Sequence, residues 1–299
     1  MKKTVQLFLA ILGPGLMTGC YTVRTDLPNA DAVTKPAKQV LRQRKDQLKT
    51  KQKAPSLPQS LGGVLKSDEW TIYKDEEQEE FKGHVSYDNG VYTLRAGYVL
   101  SDRKNDTLIA TEHVYIKQHE PQSPTYEAYA DRAVYHYKTE KGKLTSTSKN
   151  PVKLIMTEQT QTVTATARQI DFDINTQIFT LTGSVFAKRT TPEGTQTMQA
   201  DKVIFKQQED YLYLDGHALL ADEQRTLQAD TVIYNGAKNE AHAFGERPLL
   251  TGSAEQGTFA IIADNVSSDA AGDVVVLDGN VQGWLVSPEL NNNKLNSKF

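Results

Sequence analysis

From Trp70 to Leu285 apolar and polar residues alternate, and short clusters of turn formers interrupt the alternation. Tyr211-Leu212-Tyr213-Leu214 and Gln177-Ile178-Phe179-Thr180-Leu181 show the period of two clearly. Successive side chains of a strand point to opposite faces, so this pattern predicts half-buried β-strands. The breaks fall at Asp88-Asn89-Gly90, Pro192-Glu193-Gly194, Asn235-Gly236 and Ala270-Ala271-Gly272. These are turn signatures. Little helical periodicity is present, and the stretch is predicted to be all-β.

The strands carry a repeat made of two boxes. One is Ala-Asp with an apolar residue two places after the Asp: Ala130-Asp131-Arg132-Ala133, Ala200-Asp201-Lys202-Val203, Ala229-Asp230-Thr231-Val232 and Ala263-Asp264-Asn265-Val266. Ala96-Gly97-Tyr98-Val99 and Ala167-Arg168-Gln169-Ile170 are degenerate copies. The other box is apolar-x-Gly-x-Val, as in Phe81–Val85, Leu181–Val185 and Leu277–Val281, with Ala218 in the last place of Leu214–Ala218. The Asp position precedes its Gly position by 15 residues in five units and by 19 from Asp131 to Asn150. Six units therefore run from about Gly83 to Val281. The constant spacing predicts a conserved hairpin, and the variable Gly-to-Asp spacing assigns length changes to the opposite loops.

Strand parity assigns the faces. Leu212, Leu214 and Ala218, like Phe179, Leu181 and Val185 or Val275, Leu277 and Val281, share one face and are predicted buried. Tyr213, Asp215, Thr180, Thr182 and Thr231 are predicted to face outward. In the Asp box the Ala and the later apolar residue have opposite parity yet are both apolar. That predicts a bulge or corner at the Asp, and glycine within a strand marks the same kind of irregularity.

The N-terminal region follows other rules. Met1–Gly19 reads as a secretory signal, with Lys2 and Lys3 before the apolar run Val5–Leu12, which is too short to span a bilayer as a helix. Leu16-Met17-Thr18-Gly19 before Cys20 fits a bacterial lipoprotein signal, so Cys20 is the expected lipid attachment site. Several acyl chains on one residue give stable anchoring. Residues 20–66 read as a basic, Pro-rich, disordered tether, either a solvated spacer or a strip lying on anionic headgroups. Residues 67–286 form the repeat domain, and 287–299 a polar tail.

Composition narrows the function. The 299 residues carry a net charge of −3, which gives no reason to expect nucleic acid as a partner. Cys20 is the sole cysteine and can form no internal disulfide. No nucleophile elbow, phosphate-cradling loop or zinc-binding helix motif is present, so the reading is not an enzyme and needs no cofactor. His84, His113 and His217 follow the Gly position and read as surface residues, not as metal ligands. The repeated Asp131, Asp201, Asp230 and Asp264 lack a calcium-repeat context and read as structural.

Repeated Ala-Asp-x-Val and Leu-x-Gly-x-Val boxes at fixed spacing resemble the OstA-like family of lipopolysaccharide export. That family includes the periplasmic bridge protein, its inner-membrane anchor partner and the N-terminal domain of the outer-membrane assembly protein. The resemblance implies an open, twisted antiparallel β-jellyroll of about six two-strand repeats. It also implies an apolar groove for lipid acyl chains and edge strands that join other jellyroll proteins. Val99, Ile170, Leu181, Val203, Leu214, Val232, Val266 and Leu277 are the candidate groove-lining residues. Expected partners are lipopolysaccharide or a related lipid, other jellyroll components, and a membrane through the anchor. The family's inner-membrane partner usually carries a transmembrane helix, and this chain has a lipobox instead. Tyr21 in place of Asp after Cys20 favours the outer membrane, by resemblance to Gram-negative lipoproteins. The alternative from another class is a scaffold lipoprotein with a fully packed core and no lipid cargo.

Replacing Cys20 tests the anchor. Cys20→Ser is expected to move the protein from the membrane to the soluble periplasmic fraction. Unchanged sedimentation with membranes would exclude lipidation as the tether.

Overall fold

The structure is a computed structural model that describes residues 63–286, apart from 120–123, 148, 193, 239, 255–256 and 270–273. The signal segment, Cys20, nearly all of the tether and the polar tail lie outside the described residues. The first strands are β1 (Val64–Lys66), β2 (Glu69–Tyr73), β3 (Gln78–Asp88), β4 (Tyr92–Asp102), β5 (Thr107–Gln118), β6 (Thr125–His136) and β7 (Lys141–Thr145). Next come β8 (Val152–Glu158), β9 (Gln161–Ala167), β10 (Gln169–Asp173), β11 (Ile178–Thr191), β12 (Gly194–Lys206), β13 (Tyr211–Ala221) and β14 (Arg225–Asn235). The last are β15 (Glu240–Phe244), β16 (Leu249–Ala254), β17 (Gly257–Ile262), β18 (Asn265–Asp269), β19 (Val275–Asp278) and β20 (Gln282–Val286). All belong to one 20-stranded sheet, and β1, which precedes residue 67, pairs with β3.

The boxes are where this sheet bends. Between β11 and β12, Thr182 stands opposite Lys202 and Val185 opposite Ala200. Gly183 and Ser184 thus face the single residue Asp201, which is a β-bulge. The same mismatch recurs after Lys82 in β3, after Thr111 in β5 and after Asp215 in β13. Both bulge residues take positive φ: 85° and 52° at Gly183 and Ser184, 75° and 48° at Gly216 and His217. Glycine at the first place removes the steric cost of that conformation.

The residue opposite pins the bulge. The Asp264 N–H donates to both Asp278 O (3.1 Å) and Gly279 O (2.8 Å), and the Asp68 N–H to Lys82 O (3.0 Å) and Gly83 O (2.9 Å). The carboxylates reach the residue after the glycine. Asp201 Oδ2 lies 2.7 Å from His217 Nδ1, Asp68 Oδ2 2.7 Å from His84 Nδ1, and Asp264 Oδ2 accepts from Asn280 Nδ2 at 2.7 Å. Asp230 instead accepts from the Glu246 backbone N–H at 2.8 Å. The hydrogen bond and charge of Asp201 raise the His217 pKa above its ordinary value. His84 and His217 are therefore exposed partners of a corner carboxylate. These pairs fix geometry more than they add stability, because exposed ion pairs contribute little.

The bulge explains the parity conflict. On β11, Leu181 and Val185 are four residues apart and both buried; on β12, Ala200 and Val203 are three apart and both buried. The chain turns at the Asp, as the parity required, but the extra residue belongs to the Gly strand. Asp68 also marks a unit that the Ala-Asp pattern omits, because Ser67 stands in the Ala place and Trp70 in the apolar place. Its distance from Gly83 is again 15 residues.

Bending along this line of boxes divides the sheet into two leaves. The constant 15-residue half of each unit builds the first leaf: β2, β7, β10, β15, β18, β19 and the box-proximal hairpins of β3–β6 and β11–β14. Its hairpins close with turns at 74–77, 103–106, 137–140, 174–177 and 207–210. Each ends on a non-Gly residue at positive φ: Glu77, Asp106, Glu140, Gln177 and Asp210. The variable half builds the second leaf, from β1, β8, β9, β16, β17, β20 and the other ends of the long strands. Inward residues of both leaves meet in a single core cluster.

Two expected faces differ. Thr231 is buried, at 8% exposure, because it is a short side chain held in the ladder between Asp215 and Phe244. Val281 is 50% exposed, since it lies between β19 and β20 at the end of the sheet, where no further unit covers it among the described residues. Val275 and Leu277 are half-buried for the same reason.

The bulge should be sensitive to a Cβ. At Gly216 an added Cβ would meet Asp201 Oδ2 at 2.5 Å with φ at +75°. Gly216→Ala is expected to lower stability in urea by about 1–2 kcal/mol, the usual cost of left-handed backbone for an L-residue. An unchanged midpoint would show that the corner does not depend on this conformation.

Candidate functional site

A cavity of about 420 Å³ lies between the leaves over the C-terminal half of the jellyroll. Its first-leaf wall holds Leu181, Val203, Phe205, Leu212, Leu214 and Val232, and continues to Val266 and Val275 near the end of the sheet. Its second-leaf wall holds Val163, Ala165, Ala187, Met198, Leu220, Leu227 and Leu250. The alternation places these side chains: each belongs to the inward set, and the small Ala165 and Ala187 leave space that a larger residue would take.

The cavity is graded from hinge to lip. Leu181, Val203, Leu214 and Val232 lie close to the boxes and are at most 2% exposed. About five residues from the boxes, roughly 17 Å along a strand, the lining turns polar: Lys188, Arg189, Gln196, Asp222 and Arg225 on the second leaf, Ser268 and Asp269 on the first. Arg189 donates from Nε to Gln161 Oε1 at 2.9 Å, and Arg225 pairs with Asp222 at 3.4 Å. An apolar floor with a polar rim is the geometry of an amphiphile site, in which hydrocarbon is buried and charged groups stay in water.

Of the eight candidate groove residues, five line this cavity: Leu181, Val203, Leu214, Val232 and Val266. Val99 and Ile170 are not among its lining residues. They are 2% and 1% exposed, in the packed N-terminal half, where Phe81, Tyr135 and Phe172 fill the neighbouring space. Leu277 lies on β19 at the end of the first leaf and is half-buried outside the cavity. Strand parity found residues that point inward; it carried no information about how much of the interior each half leaves empty. The second-leaf residues Met198, Leu220 and Leu227 were not singled out, because the variable spacing of that half hides their register. The Met and Leu side chains at even spacing from the Gly or Ala of each box were the available signal.

Both ends of the sheet are apolar. Trp70 and Ile72 on β2 are 58% and 57% exposed, and Trp284, Leu285 and Val286 on β20 are 55%, 59% and 61% exposed. Strands β1, β2, β19 and β20 each pair on one side only among the described residues. Among those residues no group of His, Cys, Asp and Glu is arranged to hold a metal ion. Among the described residues no helix is long and apolar enough to cross a membrane.

Fold and cavity together define an open, two-leaf β-jellyroll with an apolar, polar-rimmed cavity between its leaves. Comparison with known families narrows this. Residues 65–151 match the family model described as LptA/(LptD N-terminal domain) LPS transport protein. The match agrees, over that stretch, with the resemblance of the repeats to the OstA-like lipopolysaccharide-transport family. Among solved structures the chain is similar to LptH of Pseudomonas aeruginosa, an LptA-homologous periplasmic component of the lipopolysaccharide transport device. The identity is 17% and the TM-score 0.34, over 40% of this chain and 82% of that one. No curated protein matches the chain.

The end strands generate a prediction. Exposed apolar edges pair readily with other strands. Val281 lies outside the ladders, so a test belongs on β20 itself: Trp284→Glu with Leu285→Glu is expected to abolish concentration-dependent association in sedimentation. Association that persists in the double variant would assign the contact to another surface.

Proposed function

We propose that this chain is a lipid-anchored periplasmic component of lipopolysaccharide export that holds lipid acyl chains between its leaves and joins other jellyrolls through its end strands. The apolar cavity with a polar lip carries this reading. Dry apolar cavities as small as ~150 Å³ already bind apolar molecules, and this one is larger, at about 420 Å³. Each methylene moved into it from water gains on the order of 0.8 kcal/mol. The family match over residues 65–151 supports lipopolysaccharide as the cargo class, and the apolar end strands support bridging. Cys20 is the proposed anchor, with the outer membrane as the favoured site.

Direction must come from elsewhere. Passing an acyl chain between two similar apolar sites changes its free energy little, so the chain is a carrier and not a motor. Its role is transport, not catalysis. The second reading, a scaffold lipoprotein without cargo, is favoured by one observation: the N-terminal half of the interior is filled.

A charge in the floor separates the two readings. Val232→Asp puts a carboxylate against the acyl chains, where its desolvation opposes binding. The variant is expected to keep its β-type circular dichroism yet capture at least tenfold less lipopolysaccharide. Gln228→Asp, exposed on the same strand, is the control in place of the buried Thr231, and should bind as the parent does. Equal capture by all three proteins, or capture by none, would favour the scaffold.

A further inference from the structure

The interior changes along the length of the jellyroll. Under β3–β10 buried aromatic side chains stand at both lips. Tyr92 and Tyr126 from the second leaf and Tyr135 and Phe172 from the first are each at most 8% exposed. Tyr135 stacks on Phe172 with centroids 6.4 Å apart and planes 17° apart. The Phe172 ring lies against the backbone of Gly142, where any Cβ would collide with it. Burial raises the pKa of Tyr126 and Tyr135, as expected for phenols out of water. Behind them Ile116 and Met156 are at most 3% exposed, and no residue of β3–β8 lines the cavity.

From β11 onward the corresponding lip positions are Arg189, Gln196 and Arg225, and the cavity opens beneath them. It begins at Val163 and Ala165 on β9 and runs to Val275 on β19, the last first-leaf strand. The lining therefore ends at β9, short of the aromatic half, and on the other side reaches the last first-leaf strand.

We propose that the chain is a one-ended receptacle: acyl chains occupy only the space between β9 and β19, are exchanged over the C-terminal end, and do not pass beneath β3–β8. The aromatic half is a fixed plug. A partner jellyroll at β19 and β20 can share lipid with this chain, whereas one at β1 and β2 can only be held. The chain then ends a lipid path instead of relaying through it. This rests on the reading of the cavity as a lipid site.

Photo-crosslinking in the full-length protein tests both ideas with separable outcomes. Benzoylphenylalanine, which keeps the phenyl ring and adds a benzoyl group, is placed at four aromatic positions: Phe205 and Tyr234 on the cavity, Tyr126 and Phe172 in the plug. Purified lipopolysaccharide micelles are the probe, and each labelled protein is first checked for the parent's thermal transition. Adducts are expected at Phe205 or Tyr234, with at least tenfold less at Tyr126 and Phe172. Comparable adducts in both halves would overturn the plug and leave the cargo reading standing. Adducts at none of the four would overturn the cargo reading and the receptacle with it. Two positions in each half keep the test decisive if one label disturbs folding.

Discussion

The structure depends on one mismatch, two residues of a Gly strand standing opposite one residue of an Asp strand. In a flat antiparallel ladder an inward residue is followed by another two places on. The boxes break that rule on one strand only: the inward positions Leu181 and Val185 are four residues apart, and Ala200 and Val203 are three apart. The strands remain paired only if the sheet folds sharply there. Repeated at the same place in successive strands, the fold lines up into a hinge and turns one long sheet into two facing leaves. The Asp position closes the corner because its N–H and carboxylate satisfy bulge groups that no ladder partner reaches. Where the Asp is replaced, another device takes over. Arg168 keeps the two backbone hydrogen bonds, and around Asp131 the longer loop supplies Ser146, Thr147 and Asn150.

The hinge decides that there is an interior, and side-chain volume decides what the interior does. The inward positions of the two halves have the same parity and nearly the same hydrophobicity. They differ in size and in what stands at the lip. Tyr92 and Tyr126 stand at the N-terminal second-leaf lip, while Gln196 and Arg225 hold the matching places over the cavity. Packing at crystal-like density leaves no void of this size unless the residues fail to fill it. A cavity lined by Leu214, Val232 and Ala187 forgoes dispersion contacts that larger side chains would make. That cost has a physical use only if something apolar enters.

Much of this was legible in the sequence because corners leave a strong trace. Alternation gave the strands, the fixed spacing of Asp201 and Gly216 gave the first-leaf hairpins, and the parity conflict gave the bend. Other features left little trace. The first-leaf turns end on Glu77, Asp106, Glu140, Gln177 and Asp210 at positive φ, residues that no turn signature flags. They are held by their neighbours, as when Asp102 accepts from the Asn105 N–H at 2.9 Å. The unit at Asp68 was hidden by Ser67, although its spacing to Gly83 was visible. Val99 and Ile170 obey the same pattern as Val203 and Val232, and only the rings around them separate a packed position from a cavity wall. Pattern fixes direction along one strand; volume is a property of two leaves together.

The same reasoning connects the cavity to the ends of the sheet. A repeat sheet of this kind has no intrinsic stop, since each unit covers the face and edge of the one before it. Among the described residues no further unit covers Val281 and β20, and Trp284, Leu285 and Val286 are exposed. At β2, Trp70 and Ile72 are likewise exposed among those residues, although Trp70 packs on Phe81 with ring centroids 5.3 Å apart. The first end lies beside the open space and the second beside the packed half. An added strand at β20 would complete the sheet and extend the wall that ends at Val275, so joining and roofing would occur in one step. An added strand at β2 would complete the sheet alone. The asymmetry comes from side-chain size within a symmetric repeat, and it gives two chemically similar edges different physical consequences.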